Sequence, residues 1–194
     1  ILDGKFGDIG NTAEAYARGA FEQFLADAVT LAPYMGGDSV KPFLKYPGKG
    51  AFVLARTSNS NAGEFQNLAV AGETVPNGAP NGEPMYERVA RHASAWNAAG
   101  PGVCGLVVGA TAPEEMASIR EIAPELPFLI PGVGAQGGDL KFAVQHGRTR
   151  DGLGPVINAS RSILYASRKV DFAEAARSAA QTMVEEMRAI MPAS

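Results

Sequence analysis

The sequence predicts an α/β fold of the (β/α)8 barrel class, here about six βα units with two units missing. Three observations lead there. Short apolar runs alternate with helical patterns about six times along the chain. The runs are almost continuously apolar, as strands covered on both faces are. The polar residues that could carry chemistry cluster just after the runs, where barrels place their reactive side chains. A doubly wound open sheet would accept six strands as well, but no glycine-rich fingerprint follows the first of them.

Taken in order, the chain already reads as strand from its first residues. Residues two apart in a strand share a face, so Asp3 and Lys5 project together, while Gly7 frees the backbone to bring Asp8 around. Two carboxylates and an ammonium at a strand end have to be desolvated together, which core packing would not choose. The alternative is a solvated ion-pair cluster at a strand-to-helix turn. Asn11 and Thr12 can cap a helix in which Ala13, Tyr16, Ala17, Ala20, Phe21, Phe24, Leu25 and Ala28 recur at helical spacing through Asp27. Val29 to Ala32 is a short strand ended by Pro33, and Asp38 or Ser39 starts a brief helix towards Tyr46.

Ala51 to Ala55 is a buried strand that delivers Arg56, Thr57, Ser58 and Asn59 at its carboxyl end. From Ser60 to Pro84 periodicity is lost in Asn, Gly, Pro and Glu, which marks a functional or mobile loop. A helix over Met85 to Ala98 presents Tyr86, Val89, Ala90, Ala93 and Trp96 on one face, with Trp96 read as core. Val103 to Val108 is the next buried strand, and Pro113-Glu114-Glu115 opens a helix with proline in its first turn and acids at its positive end. The strand Pro127 to Ile130 empties into the loop Pro131 to Gly138, after which Asp139 starts a helix to His146. Pro155 to Ala159 is the last strand, Ser160-Arg161-Ser162 follows it, and a closing helix runs from about Asp171 to Met191.

Composition narrows the function classes. At 194 residues and 46% hydrophobic, residues 1–194 can bury one substantial core as a single domain. A net charge of -3 without a basic tract argues against nucleic acid as a partner. The single Cys104 lies in an apolar run and reads as a buried small hydrophobe in a reducing compartment, without an intrachain disulfide. Neither a signal peptide nor a bilayer-spanning apolar stretch is legible, so the expectation is a cytoplasmic protein with no membrane partner. His92 and His146 stand on helices without cysteine or carboxylate at ligand spacing; both are read as surface residues, and no metal site is expected.

Two further stretches could hold a ligand. Ser160 and Arg161 open a helix after the last strand, where backbone N–H groups attract an anion and a guanidinium grips phosphate with two parallel bonds. A capped helix with a surface arginine would look the same. The loop Gly132 to Gly138 places four glycines around Gln136, so the backbone can approach a ligand and the amide can both donate and accept. A loose turn is the plainer reading. Thr57-Ser58-Asn59 could read an amide-like heterocycle edge or simply begin a turn.

Asp3-Gly4-Lys5-Phe6-Gly7-Asp8-Ile9-Gly10-Asn11-Thr12 is similar to the Asp-x-Lys-x-x-Asp signature of orotidine 5'-phosphate decarboxylase. Arg56 to Asn59, Gly105 to Thr111, Pro131 to Gly138 and Asn158 to Ile163 resemble the longer, bacterial-type branch of that family in order and spacing. The resemblance runs to about Tyr165. It implies loss of carbon dioxide from orotidine 5'-phosphate to give uridine 5'-phosphate in pyrimidine biosynthesis, with neither metal nor organic cofactor. By the same resemblance Lys5 protonates carbon 6 and Asp3 lies beside the leaving carboxylate. Asp8 and Thr12 cross a homodimer interface into the partner's site, Ser58 bonds the pyrimidine edge, Gln136 bridges pyrimidine and phosphate, and Ser160 with Arg161 holds the phosphate.

The sequence departs from the family at its front. Two further strand-helix units would precede this motif and bring a ribose-binding Asp and the first Lys of a Lys-Asp-Lys-Asp network, roughly sixty residues at about thirty per unit. The expectation is a chain that begins mid-domain, with open parallel edges that invite aggregation and an activity in doubt on its own. Phe6 stands where many relatives carry Arg. A sugar-phosphate decarboxylase or aldolase of the same superfamily, dependent on magnesium, and an inactive nucleotide-binding remnant are the competing readings.

Overall fold

The computed structural model describes residues 1–71, 82–134 and 137–191. Its centre is a curled sheet of six parallel strands, β1 (Leu2–Phe6), β2 (Ala28–Leu31), β3 (Gly50–Arg56), β6 (Val103–Val108), β7 (Phe128–Ile130) and β8 (Val156–Ile157), paired in that order. The strands follow one another in space as in sequence and each pairs parallel with the next, the growth pattern of a βα barrel. β1 and β8 are the two edges of the sheet. The helices between are α1 (Gly10–Arg18), α2 (Gly37–Val40), α3 (Gly63–Gln66), α4 (Met85–Asn97), α5 (Pro113–Ile122), α6 (Leu140–Gly147), α7 (Arg161–Leu164) and α8 (Phe172–Ile190). A separate antiparallel pair, β4 (Ala69–Val70) with β5 (Glu83–Pro84), lies inside the long segment after β3.

Strand periodicity sorts the core into two layers. Val29 and Leu31, Val53 and Ala55, Cys104, Leu106 and Val108, and Phe128 and Ile130 face the helices and meet Phe21, Ala90, Ala93, Met116 and Ile119. The alternate residues Ala28, Phe52, Val107 and Leu129, with Leu54 packed on them, form a smaller inner layer built from strand residues alone. The continuous apolar runs in the sequence are therefore strands with both faces used. Arg120 ties the amino-terminal side of the sheet together: its guanidinium donates to the carbonyls of Ala123, Leu126 and Gly147 at 2.8 Å and lies 3.6 Å from the centre of the Phe128 ring.

Several local expectations are corrected. The first helix does not run evenly to Asp27; α1 widens after Arg18 into a π-helical turn, Gly19–Gln23, and Phe24 donates its N–H to the Gly19 carbonyl at 2.9 Å. That extra width buries Phe21 but turns Phe24 and Leu25 outward, 75% and 73% exposed. Neither Asn11 nor Thr12 caps α1, because the helix already begins at Gly10 and Ile9 occupies the cap position. The segment after β3 is structured as far as it is described, by a 3-10 turn Ser60–Ala62, by α3 and by β4 with β5. Glu83 there is buried between Arg88 and Arg91, at 3.0 and 2.8 Å. His92 and His146 are half-buried, not surface groups: His92 stacks on Trp96 and His146 on Phe142. Burial and the nearby Arg88 hold His92 below its ordinary pKa. Phe6 stacks on Tyr16 and Phe43, with ring centres 5.0 and 6.1 Å apart.

Candidate active site

At the carboxyl ends of the strands, above the inner layer, lies a cavity of about 430 Å³. Leu54, Val107 and Leu129 form its floor, and Asp3, Lys5, Thr30, Thr57, Ser58, Asn59 and Asn158 bring polar groups into it. An apolar floor with a few convergent polar groups is the usual form of a small-molecule site, and the volume is within the normal range.

The charged part is built by an irregularity in β1. Leu2 pairs with Val29 and Phe6 with Leu31, so β1 uses two more residues than β2 over the same span. The surplus forms a bulge that aims Lys5 into the cavity, with φ of 46° in the left-handed region that side-chain-bearing residues rarely adopt. Lys5 Nζ lies 2.7 Å from both carboxylate oxygens of Asp3. Thr30 on β2 locks the pair from beneath: its hydroxyl donates to Asp3 Oδ1 at 2.7 Å and accepts the Lys5 backbone N–H at 3.0 Å. Thr30 is 1% exposed and was not singled out in the sequence; a threonine amid Val29 and Leu31 looks like strand filler, and only its inward register reveals the role. The Lys5 ammonium first, and then the Thr30 hydroxyl, hold the Asp3 carboxyl below its ordinary pKa against a weaker opposing effect of burial.

The expected three-charge cluster is thus a pair. Asp8 makes no ion pair with Lys5 among the described residues, and its Oδ1 accepts the Ile9 N–H at 2.8 Å instead. Nor is the pair desolvated: the side chains of Lys5 and Asp3 are 52% and 63% exposed. Thr12 is exposed on α1, outside the cavity wall.

Ser58 and Asn59 line the cavity from the end of β3, as their place in the sequence suggested. On the other side the lining ends with Asn158, and Ser160 and Arg161 follow it as the cap and first residue of α7. α7 has only four residues and Ser160 makes no side-chain cap, so little of the expected helix dipole is available there. Gln136 lies outside the described residues. The backbone that flanks it is drawn into a tight loop, with the Gly138 N–H on the Gly132 carbonyl at 3.1 Å and positive φ at Gly134 and Gly137. Among the described residues no group of three or more His, Cys, Asp or Glu could hold a metal, and no helix is long and apolar enough to cross a membrane.

Residues 1–178 match the sequence profile of the orotidine 5'-phosphate decarboxylase / HUMPS family. The chain belongs to that family. It is 53% identical over 188 residues to orotidine 5'-phosphate decarboxylase of Ralstonia nicotianae, which covers 96% of this chain and 65% of the relative. It is 55% identical over 181 residues to the enzyme of Cupriavidus metallidurans, covering 93% and 62%. Among solved structures the OMP decarboxylase of Leishmania donovani superposes with a TM-score of 0.80 at 42% identity, covering 98% of this chain and 67% of that one. These neighbours are TIM barrels, and the six-stranded sheet corresponds to part of such a barrel. The chain spans somewhat less than two thirds of the length of the curated relatives it matches.

Proposed function

We propose that this chain carries the carboxylate-releasing site of an orotidine 5'-phosphate decarboxylase, which converts orotidine 5'-phosphate to uridine 5'-phosphate and carbon dioxide in pyrimidine biosynthesis. The observation that carries the reading is Lys5 Nζ at 2.7 Å from Asp3, aimed into the cavity at the strand ends. In the reaction the bond between carbon 6 and the carboxylate breaks, its electron pair stays on carbon 6, and Lys5 delivers a proton there. A fixed ammonium beside that carbon stabilises charge that exists only as the carboxylate departs. Asp3 orients Lys5 and stands next to the leaving carboxylate. Ser58 bonds the pyrimidine edge, Gln136 reaches pyrimidine and phosphate, and Arg161 with Ser160 takes the phosphate, whose binding supplies energy for placing the ring. Residues 1–194 act in the cytoplasm as a single barrel domain that is incomplete at its amino-terminal side, paired as a homodimer in which Asp8 and Thr12 enter the partner's site. Asp8 and Thr12 both stand outside this chain's own ion pair, which suits that arrangement. No metal or organic cofactor takes part.

The test is the ultraviolet absorbance change of orotidine 5'-phosphate mixed with the protein in the presence of a chelator, alongside titration with uridine 5'-phosphate. Turnover that survives the chelator supports the reading. Turnover that needs magnesium points to the sugar-phosphate chemistry of the superfamily, and nucleotide binding without turnover points to a binding remnant.

A further inference from the structure

The cavity presents Ser58 from a strand end, and the question is what keeps so short a segment in place. Thr57 and Ser58 are held from three sides. On one side Gln66, the last residue of α3, accepts the Thr57 backbone N–H on Oε1 at 2.9 Å and donates from Nε2 to Thr57 Oγ1 at 2.8 Å. Thr57 Oγ1 passes the chain on by donating to Asn59 Oδ1 at 2.7 Å, so one amide fixes the segment that brings three residues to the cavity. Beneath, Arg56 donates to the Thr57 carbonyl at 2.9 Å and is itself held by Glu115 at 3.3 Å. On the far side the Thr111 hydroxyl donates to the Ser58 carbonyl at 3.3 Å, and Gly109 sits so close that a Cβ there would stand 2.8 Å from the Ser58 nitrogen.

Among the described residues the Gln66 side chain makes hydrogen bonds to Thr57 alone. Arg56 belongs to a strand and Glu115 to a long helix, whereas α3 is a four-residue turn with no buried residue, and Gln66 is absent from the cavity wall. Both ends of its amide are used in complementary senses, so turning the amide over would lose both bonds. We infer that Gln66 is a positioning residue that sets the conformation of Thr57 and Ser58, and through them recognition of the base half of a nucleotide. This rests on the proposed function for the identity of the ligand, but the clamp itself does not.

The experiment compares the unsubstituted protein with Gln66→Leu, which removes both bonds, and Gln66→Glu, which keeps an acceptor for the Thr57 N–H. Two quantities are read: hydrogen exchange at the Thr57 amide, and affinity for uridine 5'-phosphate against ribose 5-phosphate, which lacks the base. In Gln66→Leu, Thr57 exchange rises about tenfold and affinity for uridine 5'-phosphate falls about tenfold, while ribose 5-phosphate binds as before. Gln66→Glu restores the slow exchange. Unchanged Thr57 exchange in Gln66→Leu, or equal weakening of both ligands, overturns the inference. If the unsubstituted protein binds neither ligand, the functional reading fails, and the Thr57 exchange alone then upholds or overturns the clamp.

Discussion

On the helix-covered face of the sheet, Val29, Leu31, Val53, Leu106, Val108, Phe128 and Ile130 are all fully buried against helices. On the inner face the same strands offer Ala28, Phe52, Val107 and Leu129 with Leu54 packed on them, and above Leu54, Val107 and Leu129 the space stays open as the cavity. One set of strands thus supplies stability from one parity of its residues and a binding surface from the other. The polar groups follow the same division: Thr30 sits on the inner parity, where its hydroxyl serves Asp3 and Lys5. Close packing leaves no slack on the first face. The second face has slack because a ligand has to fit there.

Substitutions on the two faces test the division. Phe128→Ala, which also removes the ring beneath Arg120, is expected to cost about 3–5 kcal/mol by denaturant unfolding. Leu129→Ala, one residue along and facing the cavity, is expected to cost about 2 kcal/mol, the low end for such a truncation. Equal costs would break the comparison. Lys5→Met should do the reverse, leaving stability within about 0.5 kcal/mol, as surface substitutions do, while lowering the turnover that the proposed decarboxylation requires at least about 10²-fold.

Cys104 offers a pH test of the buried face, since burial pushes its thiol up to about 12. A group with a raised folded pKa contributes fully below its unfolded value. Stability should therefore decline above about pH 9, by about 1 kcal/mol per pH unit until the folded value is reached. Cys104→Ala should flatten that slope.

Thr30→Val removes a buried hydroxyl and leaves the Lys5 N–H without its partner, at a cost of about 1–2 kcal/mol. The smallest effect is on Asp3. Its carboxyl should titrate below the usual 3.8, followed by its carboxyl carbon resonance, so the contact with Lys5 persists as pH falls until that lower value is passed. In Lys5→Met the midpoint should rise. An unchanged midpoint would mean that the 2.7 Å contact is not formed in solution.

Much of this division was legible in the sequence. Apolar runs such as Val103 to Val108 could only be strands with both faces used, and their spacing gave the parallel crossovers. Ser58 was recognisable because it follows a strand, and Asp3 and Lys5 because they stand two apart, although both lie within β1 and not after it. What escaped depends on local backbone geometry that spacing does not carry. Period-two counting put Asp3 and Lys5 on one face, but it is the bulge against β2 that brings them together. The π-helical turn after α1 reversed the exposure of Phe24 and Leu25 without any proline or glycine-rich signal. Asp8 looked like a third member of the cluster because three charges in six positions suggest contact, whereas the turn after β1 sends it elsewhere. Thr30 and Gln66 act through hydrogen bonds to residues 25 and nine positions away, and nothing in their neighbourhood announces the partner.

The backbone at Lys5 has a consequence for how this chain can change over time. A φ of 46° suits glycine, and any side chain there carries a penalty on the order of 1 kcal/mol. Lys5→Gly should accordingly yield a firmer protein than Lys5→Ala. In a lineage released from the need for turnover, folding alone would favour loss of this lysine in favour of glycine or asparagine. At position 5 the preference of the backbone and the proposed role of the ammonium therefore pull in opposite directions.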